Sequence, residues 1–403
     1  MKITGIIAEY NPFHLGHAYQ IEKARELTQA DYIIVVMSGD YVQRGTPAIL
    51  DKRTRAQMAL THGADLVLEL PVRYSCSGAC DFAYGAVSIL DQLGCVDCLC
   101  FGSELGDIRP FERIARLLYT EPLTYKQELQ AAMRDGCTYP AAHQRALLTV
   151  SKELHLFDDL KEFSLEAFLS GPNNTLGLEY IRALMKLSSA IRPVTLPRTQ
   201  NNYHTELTEG TFASATAIRK SLYYGTSDYK EYVPSDCIPF LKEAHSHNLF
   251  VNEDDYSTLL KYKLLLEDSK TLAGYLESTL GIANRIQSLT NKFDTYSQFA
   301  DLIKTRDTTR ARINRILLHI ILGLTKQTVP PDFIRMLGFK KAAAPLLSTL
   351  KQTATTPVIS KLTQETLPTY TTDLFASNLY TTIRSTKSHT PYREEREHKL
   401  IIT

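Results

Sequence analysis

The chain has 403 residues, which is long enough for roughly two to three domains of about 150 residues each. Charged residues make up 22% and hydrophobic residues 44%, as in ordinary globular proteins, and the formal net charge is only +1. This balance excludes a protein that binds nucleic acid through an overall basic charge, so any basic surface must be local.

The chain has no predicted membrane segment and no predicted signal peptide. No stretch approaches the roughly twenty apolar residues that a membrane-spanning helix requires. The N-terminus enters an apolar run without a charged leader. The seven cysteines are odd in number, which is typical of a compartment where thiols stay reduced. We therefore expect a cytoplasmic protein that does not contact a membrane.

The cysteines offer one alternative, a zinc site. Cys95, Cys98 and Cys100 are closely spaced, and Cys76 and Cys80 form a second pair. The residues between the first three are mainly apolar, which favours a buried strand in which cysteine acts as a small hydrophobic side chain. We expect no metal ligand among them.

The first predicted element is a strand at the start of the chain. An apolar run covers residues 3–8 and stops at Asn11 and Pro12. Proline disfavours helical geometry in the residue before it, so a turn is expected here. A helix can then begin near Leu15. This strand–turn–helix order is the setting in which phosphate groups are bound.

Two histidines lie at the start of this predicted helix. His14 and His17 are three positions apart, so they share one face, and Gly16 leaves the backbone open to a ligand. Free N–H groups at a helix start attract phosphate. The alternative is a pair of solvated surface histidines, which the sequence alone does not exclude.

Strands and helices alternate through the first two hundred residues. Further strands are predicted at residues 33–37, 66–70, 95–101 and 193–197. Helices are predicted between them at residues 51–62 and 78–93. Buried apolar strands separated by helices predict an α/β fold with a doubly wound parallel sheet.

Polar clusters follow three of these strands. They lie at residues 11–17, 38–40 and 102–104, after the first, second and fourth strands. Parallel sheets bind ligands beyond the carboxyl ends of their strands, where the strand order reverses. We therefore expect the three clusters to form one site.

A second polar signature follows the fifth predicted strand. Residues 108–190 are predicted to be mainly helical, and a polar loop covers residues 199–211. Ser214 is then a predicted helix N-cap, with Arg219 and Lys220 in the same helix. Hydroxyls and cations around one helix start suit a phosphate, although a capped surface helix is the alternative.

The composition changes beyond about residue 235. Helical periodicity dominates to about residue 326, and a Ser- and Thr-rich tail starts near residue 352. We predict two domains, at residues 1–235 and 236–403. The second contains five cations that could grip a phosphate backbone or form a solvated helix face: Lys304, Arg306, Arg310, Arg312 and Arg315.

The two polar signatures carry a family likeness. Residues 11–17 and 214–220 resemble the HxGH and S-x-T-x-x-R signatures of the HIGH-type nucleotidyltransferase superfamily. With the motifs at residues 38–45, 68–71, 101–104 and 172–174, the chain resembles the bacterial tRNA(Met) cytidine acetate ligase family. The likeness covers at least the first 220 residues and continues through residues 304–322.

The resemblance implies a Rossmann-like nucleotidyltransferase domain followed by a mostly helical domain. It implies a ligase that uses ATP to convert acetate into acetyl-adenylate, with Mg²⁺ bridging the phosphates. The acetyl group would then pass to N4 of the wobble cytidine of elongator tRNA(Met). The five cations of the second domain would contact the tRNA.

The resemblance also implies the site residues. The residues expected to surround ATP are Ile7, Ala8, Glu9, Tyr10, Asn11, Pro12, Phe13, His14, Leu15, Gly16, His17, Ala18, Tyr19, Gln20, Gly102, Asn173, Arg198, Ser214 and Thr216. The residues expected to act in catalysis are His14, His17, Asp40, Arg219 and Lys220. Four of these would be donors to the developing phosphate charge, and Asp40 would orient Mg²⁺ or a substrate group.

Two other functions compete with this interpretation. A small-molecule adenylyltransferase would keep the adenylate as its product, but the additional helical half favours a macromolecular acceptor. A non-catalytic RNA-binding protein is disfavoured by the intact His14, Gly16 and His17.

Overall fold

The computed structural model describes residues 1–137, 139–161, 163–198, 213–326 and 331–403. The polar loop at 199–211 lies outside them. The strands in these ranges are β1 Ile3–Ala8, β2 Tyr32–Ser38, β3 Tyr41–Val42, β4 Thr46–Pro47, β5 Leu66–Leu70, β6 Cys98–Ser103, β7 Arg192–Pro197, β8 Ile334–Phe339, β9 Val358–Ile359 and β10 Ile401–Ile402.

The α-helices connect and flank these strands. In chain order they are α1 Leu15–Thr28, α2 Lys52–Thr61, α3 Val72–Ser75, α4 Ala79–Gln92, α5 Ile108–Thr120, α6 Leu123–Arg134, α7 Tyr139–Glu153, α8 Leu165–Ser170, α9 Pro172–Lys186, α10 Ala215–Tyr224, α11 Ile238–Ser246, α12 Ser257–Leu266, α13 Ser269–Leu272, α14 Leu280–Leu289, α15 Tyr296–Ile303, α16 Arg310–Leu322, α17 Ala344–Thr353 and α18 Thr371–Ser388. None of the described helices is both long and apolar enough to cross a lipid bilayer.

The central sheet confirms the predicted α/β fold. Its first five long strands are parallel and lie in the order β5-β2-β1-β6-β7, so the order reverses at β1. Strand β1 pairs with β2 from Ile3 to Ala8, but it pairs with β6 only at Thr4 and Gly5 in the described sheet. No ladder hydrogen bonds close the space between the carboxyl ends of β1 and β6, which is where such sheets bind ligands.

The far edge of the sheet comes from the C-terminal part of the chain. Strand β8 pairs antiparallel with β5, and β9 and β10 pair with β8. The sequence predicts helices to about residue 326 and a polar tail from about residue 352, with no strand between them. A buried run of six residues is too short to distinguish a strand from a helix. The sheet thus draws on both predicted domains, and the boundary at residue 235 stays a prediction.

Hydrophobic cores cover both faces of the sheet. On one face α4, α5 and α9 bury Leu90, Phe111 and Leu178, and on the other α1 and α10 bury Ile21 and Ile218. A third core lies within the helices of residues 256–326 and includes α18. Burial of this apolar area is the main favourable term in folding. It holds the carboxyl edge of the sheet in a fixed geometry.

Candidate active site

The predicted strand–turn–helix is confirmed at residues 7–20. Tyr10 has a φ of 49°, a left-handed conformation that is uncommon outside glycine and concentrates at functional sites. The side-chain oxygen of Asn11 accepts a hydrogen bond from the Ile49 N–H at 2.8 Å, which holds the turn against the loop before α2. Helix α1 begins at Leu15.

The start of α1 has an open backbone donor. The Leu15 N–H bonds the Tyr232 carbonyl at 2.8 Å, and the His17 N–H bonds the His14 carbonyl at 2.9 Å. The Gly16 N–H, between them, has no acceptor among the described residues. This donor can serve a phosphate oxygen without displacing a native contact.

The two histidine rings stack, and the backbone of His14 fixes the tautomer of His17. Their ring centroids are 3.6 Å apart with an interplanar angle of 21°. The His14 N–H donates to Nδ1 of His17 at 3.3 Å, so the neutral His17 ring carries its proton on Nε2. The Nδ1 atom of His14 is buried and has no partner among the described residues. Both rings therefore keep polar atoms for a ligand.

Aromatic rings surround the histidines. The His17 ring centroid lies 4.8 Å from that of Tyr10 and 5.7 Å from that of Phe13. Burial lowers the pKa of His14 to about 3, with further lowering by the charges of Arg198 and Arg219. Burial, His14 and Arg198 also lower the pKa of His17 well below its usual value. The pair is neutral at pH 7 and offers hydrogen bonds, not charge.

Arg219 joins the second signature to the first. Ser214 caps α10 as predicted, with its side chain accepting from the Ala217 N–H at 3.2 Å. Nη1 of Arg219 donates to the Asn11 carbonyl at 2.7 Å, and its Nη2 donates to Oγ1 of Thr216 at 3.1 Å. The structure thus brings Arg219, Thr216 and the turn together.

Lys220 is separated from this group by its position on α10. Its side chain is exposed, whereas Arg219 is only partly exposed and reaches the turn. Among the described residues, no hydrogen bond or ion pair joins the Lys220 side chain to residues 7–20. Its predicted role in catalysis stays a prediction.

The strand ends of β6 and β7 form the other side of the crevice. The Arg198 N–H bonds the Ser103 carbonyl at 2.9 Å, and its guanidinium donates to Oδ1 of Asn173 at 3.1 Å. A Cβ on Gly102 would lie 3.3 Å from Cγ of Arg198, so Gly102 lets this side chain lie flat on β6. Gly102, Asn173 and Arg198 are brought together as the resemblance implies.

The two adjacent asparagines differ in accessibility. Asn174 is buried, and its side chain accepts from the Glu104 N–H at 3.0 Å and donates to the Phe168 carbonyl at 3.2 Å. Asn173 is partly exposed and donates to Oε1 of Glu104 at 2.6 Å. Asn173 is therefore the more accessible of the two side chains. Glu104, which accepts from both backbone N–H groups, positions it.

Asp40 lies in a different environment from the one predicted. Its Oδ1 accepts from the Lys52 N–H at 2.9 Å, and its Oδ2 lies 3.8 Å from Nζ of Lys52. Nζ of Lys52 also bonds Glu69 at 2.7 Å and lies 3.4 Å from Glu395. This buried ion cluster lines a cavity of about 410 Å³ beside α18. No described contact joins Asp40 to His14 or His17, so its predicted role in catalysis stays a prediction.

Four hydrogen bonds made by Arg55 and Glu9 within the site were missed by sequence reasoning. The buried Arg55 donates to the carbonyls of Glu9 at 2.6 Å, Ser38 at 3.1 Å and Leu50 at 3.0 Å. Oε1 of Glu9 accepts from the Gln43 N–H at 2.7 Å. These bonds tie the ends of β1 and β2 together. A buried arginine inside an ordinary helical pattern has no local sequence signal.

The five cations predicted to bind tRNA are not equally free. Arg315 forms a bidentate pair with Glu277 at 2.7–2.9 Å, and Arg310 bonds Asp301 at 2.6 Å. Arg312 donates to the Glu277 carbonyl at 3.2 Å. Lys304 and Arg306 are exposed and have no hydrogen bond or ion pair among the described side chains. These two cations are therefore the ones in the segment that are free to contact a phosphate backbone.

The cysteines do not assemble into a metal site in the described ranges. Cys98 and Cys100 are buried in β6, and burial raises the pKa of Cys100 to about 12. One other group, His62, Asp236 and Cys237, has ligand atoms within 4.8 Å of one another. Its histidine already uses both ring nitrogens, at 3.0 Å from Asp236 and 2.7 Å from a backbone carbonyl. Burial also raises the pKa of the Cys237 thiol, to about 12.

Sequence comparisons identify the family of the chain. A family model described as HIGH Nucleotidyl Transferase matches residues 1–395. The tRNA(Met) cytidine acetate ligase of Clostridium kluyveri is 40% identical over 393 residues, covering 94% of this chain and 94% of the relative. The enzyme of the same name from Thermoanaerobacter sp. strain X514 is 38% identical over 392 residues, covering 94% of this chain and 95% of the relative.

Solved structures resemble the whole chain. Thermotoga maritima TmcAL bound with alpha-thio ATP has a TM-score of 0.87 at 30% identity, with 100% of both chains covered. The apo form of the same protein has a TM-score of 0.90 at 30% identity, also with full coverage. The crevice described above lies in a fold that binds an ATP analogue in that relative. The chain belongs to the HIGH nucleotidyl transferase family and, within it, to the tRNA(Met) cytidine acetate ligases.

Proposed function

We propose that this chain is an ATP-dependent ligase that acetylates N4 of the wobble cytidine of elongator tRNA(Met). Acetate is first joined to AMP, and the acetyl group is then moved to the tRNA. The single observation that carries the proposal is the hydrogen bond from Arg219 to the Asn11 carbonyl, which unites both signatures at one crevice. Relatives of nearly equal length carry the same ligase name.

In the first step a carboxylate oxygen of acetate attacks the α-phosphorus of ATP, and the bond to the β-phosphate oxygen breaks. Negative charge develops on the phosphoryl oxygens and on the departing pyrophosphate. Catalysis of this step requires positioned donors and no covalent nucleophile. The Gly16 N–H, the Nε2–H of His17 and the charged Arg219 are such donors.

In the second step the exocyclic amine of cytidine attacks the carbonyl carbon of acetyl-adenylate. AMP leaves with the bonding electrons, and the amine loses one proton. The cytosine must be unstacked to reach the crevice, which is possible in a single-stranded anticodon loop. His14 lies within the site as a neutral ring whose buried Nδ1 has no partner among the described residues, so it can take part in a hydrogen bond with the substrate.

The segment between α15 and α16 is the part of the chain to which we assign contact with the tRNA backbone. Lys304 and Arg306 are its exposed cations, and Arg310 and Arg315 hold the segment in place through their ion pairs. Electrostatic contact with phosphates supplies much of the affinity of such interfaces. The helical region is thereby assigned to tRNA binding.

Mg²⁺ enters the proposal only as the ion that accompanies ATP. Asp40, which is expected from the sequence to orient Mg²⁺ or a substrate group, is engaged with Lys52 in the buried ion cluster, and this contact does not fit a role as a metal ligand. We therefore assign the ion no protein ligand and no step of the mechanism.

Incubation with ATP, tRNA and labelled acetate, followed by nucleoside analysis, tests the proposal. Labelled N4-acetylcytidine in elongator tRNA(Met) is the expected product. A small-molecule adenylyltransferase would leave the tRNA unlabelled. Acetate-dependent exchange of labelled pyrophosphate into ATP, measured without tRNA, isolates the first step. Absence of both exchange and labelled tRNA would contradict the proposal.

A further inference from the structure

A short hairpin follows the second strand of the sheet and contacts the segment that precedes the histidines. It consists of β3 and β4, in which Val42 pairs with Thr46. The Gln43 N–H in its turn donates to Glu9 at 2.7 Å, which attaches the turn to the ATP-binding segment. Arg44 is the next residue. The backbone of the turn is therefore held at the site, and its arginine projects from it.

The opposite side of the hairpin is attached to the helical region. Gly45 has a φ of 74°, and a Cβ added to it would lie 2.2 Å from the backbone nitrogen of Arg315. The hydroxyl of Tyr41 lies 3.0 Å from that of Tyr256. The turn thus rests directly on α16. Because both sides are fixed, the position of Arg44 is set by the tertiary structure.

The guanidinium of Arg44 is exposed and unused. No hydrogen bond or ion pair to the described residues occupies it. By contrast, Arg219 uses both terminal nitrogens on Asn11 and Thr216, and Arg198 donates to Asn173. Arg44 is close enough that its charge acts on the pKa of both Glu9 and Arg219. With Arg55, Arg198 and Arg219, it is the fourth arginine at this site.

We propose that Arg44 binds the β- and γ-phosphates of ATP and the pyrophosphate that they become. This assignment rests on the proposed function and adds a residue to it. The triphosphate carries a charge of about −4, and the histidines are neutral, so the arginines are the protein groups at this site that can supply positive charge beside the ion that accompanies ATP. The planar guanidinium of an arginine can donate two parallel N–H hydrogen bonds to two oxygens of one phosphate group. An exposed residue can also follow pyrophosphate as it leaves.

Titration calorimetry with ATP and with AMP tests this assignment. Arg44→Gln is expected to weaken ATP binding by roughly 10- to 100-fold while leaving AMP binding nearly unchanged, because AMP lacks the two outer phosphates. Arg44→Lys is expected to recover part of the loss. Arg134→Gln, at an exposed position on α6, is the matched control. Unchanged ATP affinity, or equal losses for ATP and AMP, would overturn the assignment.

Two further measurements distinguish a role of Arg44 in ATP binding from a role in tRNA binding and from failure of the proposed function. The affinity of Arg44→Gln for tRNA, measured without ATP, is expected to equal that of the wild type. A loss of tRNA affinity with normal ATP affinity would assign Arg44 to the tRNA and overturn the proposal. If the wild type shows no acetate-dependent pyrophosphate exchange, the proposed function fails. The comparison of ATP with AMP still decides the role of Arg44 in that case.

Discussion

Arg219 donates a 2.7 Å hydrogen bond to the carbonyl oxygen of Asn11, a residue 208 positions earlier in the sequence. The same guanidinium also bonds Thr216, one turn before it in α10. The bond holds the turn that precedes α1 against the second signature. The position of the histidine pair thus depends on a contact between distant segments.

Replacement of Arg219 tests this contact. Arg219→Gln removes the positive charge and the two-sided hydrogen bonding of the guanidinium. We expect the rate of acetate-dependent pyrophosphate exchange to fall roughly 10²-fold or more, which is the usual effect of losing a positioned hydrogen-bond donor. Arg219→Lys should not restore it, because a single ammonium cannot bond Asn11 and Thr216 in the same geometry. Arg145→Gln on the surface of α7 is the control. Full recovery of the exchange rate in Arg219→Lys would contradict the requirement for a guanidinium at this position.

Burial of His14 predicts a pH-dependent stability. The pKa of His14 is about 3 in the folded protein, against 6.5 as its usual value. The unfolded chain therefore binds a proton as the pH falls through the usual value, while the folded protein does not. Stability from this residue is complete at higher pH and is lost as the pH falls toward 3, by at most about 1.4 kcal/mol per pH unit.

Chemical denaturation between about pH 7 and pH 5 measures this slope. His14→Asn removes the titrating group and should give a shallower fall in the free energy of unfolding than the wild type. Identical slopes in the two proteins would contradict the assignment to His14.

The exposed cations before α16 can be tested separately from catalysis. Lys304→Glu with Arg306→Glu should weaken tRNA binding by roughly 10-fold or more and reduce its dependence on salt, because two phosphate contacts are lost. Pyrophosphate exchange should be unchanged. Lys361→Glu reverses an exposed lysine elsewhere and is the control. Equal tRNA affinity in the double variant would move the tRNA site to another surface.

The hairpin predicts a specific cost at one glycine. Gly45→Ala places a methyl group against the backbone of α16 and strains a positive φ, so we expect a loss of about 1–3 kcal/mol in the free energy of unfolding. Gly281→Ala, with nothing within 4 Å of the added carbon, should be neutral or stabilising. Denaturation curves of the two variants give the comparison. Equal stability of the two would show that the hairpin does not rest tightly on α16.

Local sequence patterns were sufficient to predict some of the secondary-structure elements but not others. The first strand, the turn at Asn11 and the helix start at Leu15 follow from apolar runs and proline chemistry, which act between neighbouring residues. Strand β8 was missed because its pairing with β5 joins residues far apart in the chain. Asp40 is a predicted site residue because it follows a strand, but the sequence does not show its pairing with Lys52, which also lies near the distant Glu395.

The sequence by itself determined the alternating strands and helices, the two signatures and the family to which they belong. Their residue types and spacings are local properties, so they can be read without coordinates. The tertiary structure decided which residues meet: Arg219 with Asn11, Arg198 with Asn173, and the hairpin of Arg44 with both halves of the molecule. It also decided which charges remain free, because burial and ion pairs occupy Asp40, Arg310 and Arg315 while Arg44, Lys304 and Arg306 face solvent. Such pairings depend on packing between distant segments, which no local pattern contains.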